Sequence, residues 1–365
     1  MEKHVIANNI DTAKRQRPLR RRLVIAGGTL VAAVALTAIV AAITPWPSVM
    51  VIRTVFEKGA ASTVAEMEPH VSDTKLAEYR DIAYAPPTGS LPQSDTTLDV
   101  YTPAGGTKKL TTIVWVHGGA WISGQKENIE PYLRILAAQG YTTIGVNYTT
   151  APEAVYPTAL TQLNTALRYI SEHAPEWNGD PNRIVLAGDS AGSQLASQLA
   201  ILTTNPRYAH LSGMTPGLKE EQVVGAILNC GVYDMPAMSA LNGIEAWGLQ
   251  VSLWAYAGTK DWSSRSTGSL MSTIDFVNAD FPPTYISGGN GDALTWSQSI
   301  PFAQALEDSG VSVTRLFWPA NHEPKLPHEY QFHLDLNEAN VALADTIKYL
   351  QALDSESTQS STKPS

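Results

Sequence analysis

Apolar positions fall into three regimes along the chain. Residues 23–43 form an uncharged run of 21 in which Thr29 and Thr37 are the only polar side chains. About 20 apolar residues at 1.5 Å rise cover a ~30 Å hydrocarbon core, so this run predicts a transmembrane helix. Val49, Ile52, Val55 and Phe56 then recur at helical spacing, predicting an amphipathic helix from near Pro47. From residue 81 short apolar runs at 112–117, 142–147, 183–188, 223–230, 283–287 and 311–318 predict strands. Helical patterns lie among them at 131–139, 157–173, 191–203 and 297–309, and a last one at 338–350. Alternating helices and continuously apolar strands predict an α/β domain built on a mostly parallel, doubly wound sheet.

Residues 235–280 break the rhythm, holding Trp247, Trp254, Tyr256 and Trp262 among small residues. This is expected to be a helical cap insertion over the strand ends, where open α/β sheets bind ligands. The aromatic residues suit an acyl or alcohol pocket, or plain core. The resulting division is a basic segment at 1–22, an anchor at 23–43, a helical linker or cap at 44–80, a catalytic domain at 81–353 and a disordered, serine-rich tail at 354–365.

Charge sharpens the first part of that division. Of 25 basic and 34 acidic side chains, the first 22 residues hold seven basic against two acidic, leaving 18 against 32 for the rest. Arg20-Arg21-Arg22 just before the apolar run, and Trp46 after it, predict a cytoplasmic N-terminus and an extracytoplasmic main domain. Val40-Ala41-Ala42 keeps a cleaved signal segment open as the alternative. The net charge of −9 argues against a nucleic-acid binder. The single cysteine, Cys230, excludes an internal disulfide or a zinc site of paired thiolates, and its apolar strand suggests inert packing.

The strongest chemical signal is Gly188-Asp189-Ser190-Ala191-Gly192, between an apolar strand and a helical run. G-x-S-x-G in that setting is a sharp turn that projects a nucleophilic serine, Ser190, with the Ala191 amide at a helix start facing a developing oxyanion. His117-Gly118-Gly119-Ala120-Trp121 follows another strand. Its glycines bring backbone amides close to a substrate oxygen, so Gly118 and Gly119 complete the expected oxyanion hole with Ala191.

With Asn147-Tyr148-Thr149-Thr150-Ala151-Pro152-Glu153, these segments resemble the α/β-hydrolase fold, and more narrowly the hormone-sensitive-lipase-like carboxylesterases. That family has His-Gly-Gly-Gly, Tyr-Arg-Leu-Ala-Pro-Glu and Gly-Asp-Ser-Ala-Gly in this order, and the resemblance covers about residues 95–352. Ala120 in place of the third glycine is expected to narrow the acyl side. Thr149-Thr150 in place of Arg-Leu removes a buried charge. The resemblance implies a serine nucleophile, an acid and a histidine in that order. Asp292, in Gly288-Gly289-Asn290-Gly291-Asp292, matches the acid loop; Asp275 and Asp280 precede the strand and suit surface or capping roles. His328, followed by Glu329 and Tyr330, is favoured as the base, with His322 the alternative; His117 suits loop support and His333 solvent.

The expected activity is cleavage of short- or medium-chain acyl esters through Ser190, His328 and Asp292, requiring no metal or organic cofactor. A deacylase or acyltransferase acting on envelope lipid or glycan esters, and a non-catalytic binder of the same fold, are the other readings.

Overall fold

The computed structural model describes residues 37, 39–87, 89–241, 243–264 and 266–360. Eight strands form one sheet: β1 (Leu76–Ala83), β2 (Thr97–Pro103), β3 (Leu110–Val116), β4 (Thr142–Val146), β5 (Gly179–Asp189), β6 (Val223–Asn229), β7 (Thr284–Gly288) and β8 (Val313–Phe317). Their order is β1-β2-β4-β3-β5-β6-β7-β8. The β1–β2 and β2–β4 pairs are antiparallel and the rest are parallel.

Alternate residues of each central strand enter opposite cores. Val114 and Val116 of β3 join Leu186, Leu228 and Ile286 on one face, while Ile113 and Trp115 join Val185, Ala187 and Ile227 on the other. Burial on both faces is why these strands read as continuous apolar runs. The helices are α1 (Trp46–Met67), α2 (Glu130–Ala138), α3 (Thr158–His173), α4 (Ala191–Thr204), α5 (Pro206–Ser212), α6 (Met235–Ser239), α7 (Ile244–Ala257), α8 (Ser266–Met271), α9 (Ile300–Asp308) and α10 (Asn337–Ser360). The first face is covered by α3, α4 and α9 through Leu160, Leu163, Leu195, Leu199 and Phe302. On the other, α2 and α10 contribute Tyr132, Leu136, Ala339 and Leu350.

Where the structure departs from the sequence expectations, the reasons are physical. β1 and β2 went unseen because β1 exposes Glu78, Tyr79, Arg80 and Asp81, and β2 interrupts its apolar residues with Asp99 and Thr102. Asp99 is buried because the Lys126 ammonium, itself buried, lies 3.0 Å from it and the Asp81 amide donates to it at 2.7 Å. The segment expected to be a disordered tail from 354 continues α10 as far as Ser360. Asp354 holds it to the sheet, accepting from Arg183 at 2.9 Å and from Thr111 at 2.6 Å.

The insertion at 235–280 is helical, containing α6, α7 and α8. Tyr256 and Trp262 are buried, but Trp247, Trp254 and Trp262 line a cleft of about 430 Å³ shared with Ala41 and Ser48, away from Ser190. Among the described residues no helix is long and apolar enough to cross a membrane. The run at 23–43 lies outside them, apart from residues 37 and 39–43.

α1 folds back along the domain. Val49 and Ile52 are buried in the first core and Met67 in the second. Arg53 donates to both carboxylate oxygens of Glu153, at 2.7 and 2.6 Å, and to the carbonyls of Ile122 and Ala151. Glu153 thus takes its guanidinium partner from α1.

Candidate active site

The site lies at the carboxyl ends of the central strands. β5 ends at Asp189 and α4 starts at Ala191, so Ser190 alone makes the reversal, at φ 50° and ψ −120°. A non-glycine residue there is strained, and two close approaches hold it. A Cβ at Gly192 would collide with the Val116 carbonyl, and one at Gly188 with the Gly192 backbone. The Ser190 amide donates to the Asn229 carbonyl at 2.9 Å.

The structure brings Ser190, His328 and Asp292 together. With the imidazole proton on Nδ1, His328 donates to Asp292 Oδ2 at 2.7 Å, and Nε2 accepts from Ser190 Oγ at 2.9 Å. Asp292 is buried after β7, and its Oδ1 accepts from the Leu294 amide at 2.9 Å. Asn290 joins the loops: its Oδ1 accepts from the Leu326 amide at 2.9 Å and its Nδ2 donates to the His322 carbonyl at 2.8 Å. Burial alone would lower the His328 pKa. The charge and hydrogen bond of Asp292, with Glu329 and Asp189 beyond, raise it instead to about 9.

The other histidines lie elsewhere. His322 Nε2 pairs with Glu338 at 2.8 Å and its ring packs on Trp318, leaving it out of reach of Ser190. His117 is buried and stacked on Tyr148 at 4.3 Å; desolvation lowers its pKa to about 4, so it is neutral. His333, expected at the surface, is half-buried and pairs with Glu66 of α1 at 2.8 Å.

The oxyanion assignment needs one correction. The Gly118 amide donates to Asp189 Oδ2 at 2.8 Å and is therefore engaged. Asp189 also accepts from Trp115 Nε1 at 2.7 Å, so one buried carboxylate ties the glycine turn to the serine elbow. Among the described backbone bonds, the amides of Gly119, Ala120 and Ala191 have no protein acceptor. Gly119, at φ 102°, leaves no room for a side chain against the Ser123 carbonyl. Ala120 takes φ 51°, where the resembling family has glycine. Trp121 stacks on Tyr256 of α7 at 5.4 Å, tying the turn to the helical insertion.

Two residues were not singled out for the site by sequence. Glu329 packs against Gly118 and lies 3.8 Å from His328 Nε2. Cys230, read as packing, is buried, yet its sulfur lies within 4.8 Å of a His328 ring nitrogen and a Glu329 carboxylate oxygen; desolvation pushes its thiol well up. The positive φ of both, 59° and 43°, has no signature in residue type.

A mostly parallel sheet carrying a strand–serine–helix elbow, with the acid after β7 and the histidine after β8, defines an α/β-hydrolase. The chain belongs to the BD-FAE family, which it matches over residues 98–306. It is 28% identical to Mycobacterium tuberculosis carboxylesterase NlhH over 247 residues, 65% of this chain and 72% of that one. To the probable carboxylic ester hydrolase LipM of the same organism it is 28% identical over 194 residues, 52% of this chain and 42% of LipM. The match thus spans under half of LipM's own length. In fold it is similar to esterase B of Lactobacillus rhamnosis, with TM-score 0.73 and 22% identity over 87% of this chain and all of that one.

Proposed function

We propose that the protein is a serine carboxylesterase cleaving short- or medium-chain acyl esters. The observation that carries this is the relay from Asp292 through His328 to Ser190, beside amides with no protein acceptor. His328 takes the Ser190 proton as Oγ attacks the ester carbonyl. The amides of Gly119, Ala120 and Ala191 hold the oxyanion, each such donor contributing about 3 kcal/mol to the barrier difference. His328 returns the proton to the departing alcohol, then activates the water that releases the acyl group, while Asp292 steadies the imidazolium. The named activities of LipM and NlhH agree with this chemistry.

The same reading places the catalytic domain outside the cytoplasm, tethered by 23–43. Support comes from the basic flank in the sequence and from Val51, Val55 and Phe56, which expose apolar side chains on the helix that follows that run in the chain.

Hydrolysis of p-nitrophenyl esters from acetate to palmitate by the full chain tests the activity. Ser190→Ala and His328→Ala should each lower kcat at least ~10⁴-fold, while His322→Ala stays within a few-fold. Loss of activity in His322→Ala alone would overturn the assignment of the base. An inert protein whose Ser190 resists a fluorophosphonate would move the non-catalytic binding reading to the front.

A further inference from the structure

One carboxylate at the site has no part in the mechanism above. Glu329 takes a left-handed backbone conformation, φ 59°. Its Oε1 lies 3.8 Å from His328 Nε2, and a Cβ added at Gly118 would stand 2.9 Å from the same oxygen. The two neighbouring carboxylates, Asp292 and Asp189, are buried and committed: one holds the imidazole, the other holds Trp115 and Gly118. Glu329 also hydrogen-bonds Asp189, whose pKa burial and this neighbour raise, but it keeps 34% of its side chain exposed and so is the acidic group of the site that a substrate can touch.

Its position selects one half of the substrate. Nε2 hands its proton to the departing alcohol, so a group 3.8 Å from that atom borders the alcohol portion and not the acyl chain. The groups facing the imidazole are Asp292, Glu329, Asp189 and the Cys230 thiol. Among the described residues no lysine or arginine pairs with any of these carboxylates. A carboxylate there accepts hydrogen bonds and attracts cations, and repels a negative charge brought into the same partly desolvated space.

Resting on the esterase reading, we infer that Glu329 is a specificity-determining residue for the alcohol portion of the ester. It favours alcohols that carry a positive charge or a hydrogen-bond donor and turns away anionic ones. The same carboxylate helps to hold a proton on His328, which supplies an independent readout.

The test is a matched set of thioacetates: acetylthiocholine, its uncharged 3,3-dimethylbutyl isostere, and the anionic 3-(acetylthio)propanesulfonate. Intrinsic leaving-group differences cancel when each variant is compared with the unsubstituted enzyme. Glu329→Gln should lower the ratio of kcat/KM for the cationic over the anionic ester about tenfold. Glu329→Asp, which keeps the charge but withdraws it by one methylene, should give an intermediate ratio. The midpoint of the kcat/KM–pH profile should also fall in Glu329→Gln and not in Glu329→Asp. An unchanged ratio in an active Glu329→Gln enzyme overturns the inference, as does an equal loss on all three esters. Should the unsubstituted enzyme be inert on these esters and on p-nitrophenyl acetate alike, the esterase reading itself fails.

Discussion

Asp189 shows how much one side chain can organise. Its two oxygens take the Trp115 indole and the Gly118 amide, which fixes the glycine turn next to Ser190. Asp189→Asn keeps one acceptor and sets an amide N–H against a second donor. The expected result is a loss of about 10–100-fold in kcat, with fluorophosphonate labelling of Ser190 slowed in parallel. His328 gives a second prediction. The base must be neutral to accept the Ser190 proton, and its pKa is raised to about 9. Activity should therefore climb as pH rises through the range above neutrality, with its midpoint well above the ordinary histidine value; a flat profile from pH 7 upward would contradict it. Ser190 was legible because its chemistry is written in contiguous residues. Which amide is left without a protein acceptor was not, because Gly118 and Gly119 are alike in sequence and only the direction of the Asp189 carboxylate separates them.

At the scale of elements, the elbow works because β5 and α4 meet without side chains between them. Gly192→Ala would push a methyl group into the Val116 carbonyl, so the variant should lose activity together with several degrees of thermal midpoint, read by circular dichroism. The antiparallel edge depends on a charge. Lys126 is buried between Asp81 at 2.8 Å and Asp99 at 3.0 Å. Replacing it with Met leaves the buried Asp99 carboxylate only Arg80 at 3.3 Å and the Asp81 amide, and should cost about 3 kcal/mol in urea unfolding. The central parallel strands were readable because both of their faces are buried, which favours continuous apolar runs such as 184–187 and 113–116. β1 and β2 were not, since their stability comes from pairing and from Lys126, a residue far away in sequence.

Over the whole molecule, α1 is the part that covers one side of the domain. Its 22 residues would span about 33 Å if extended away as a stalk. Instead Val49 and Ile52 bury against the domain and Arg53 clasps Glu153 and two carbonyls of the loops behind the glycine turn. Arg53→Ala should free this helix, seen as faster proteolysis within 46–67 while the remaining domain stays resistant. The clasp also sets a rule for anyone shortening the protein. A cut just before Trp46 removes the apolar run yet leaves the domain its own covering. A cut at 68 would expose the first core beneath Val49 and Ile52 and strip Glu153 of its guanidinium, so the shorter form should express poorly although every residue at the ester site is still present.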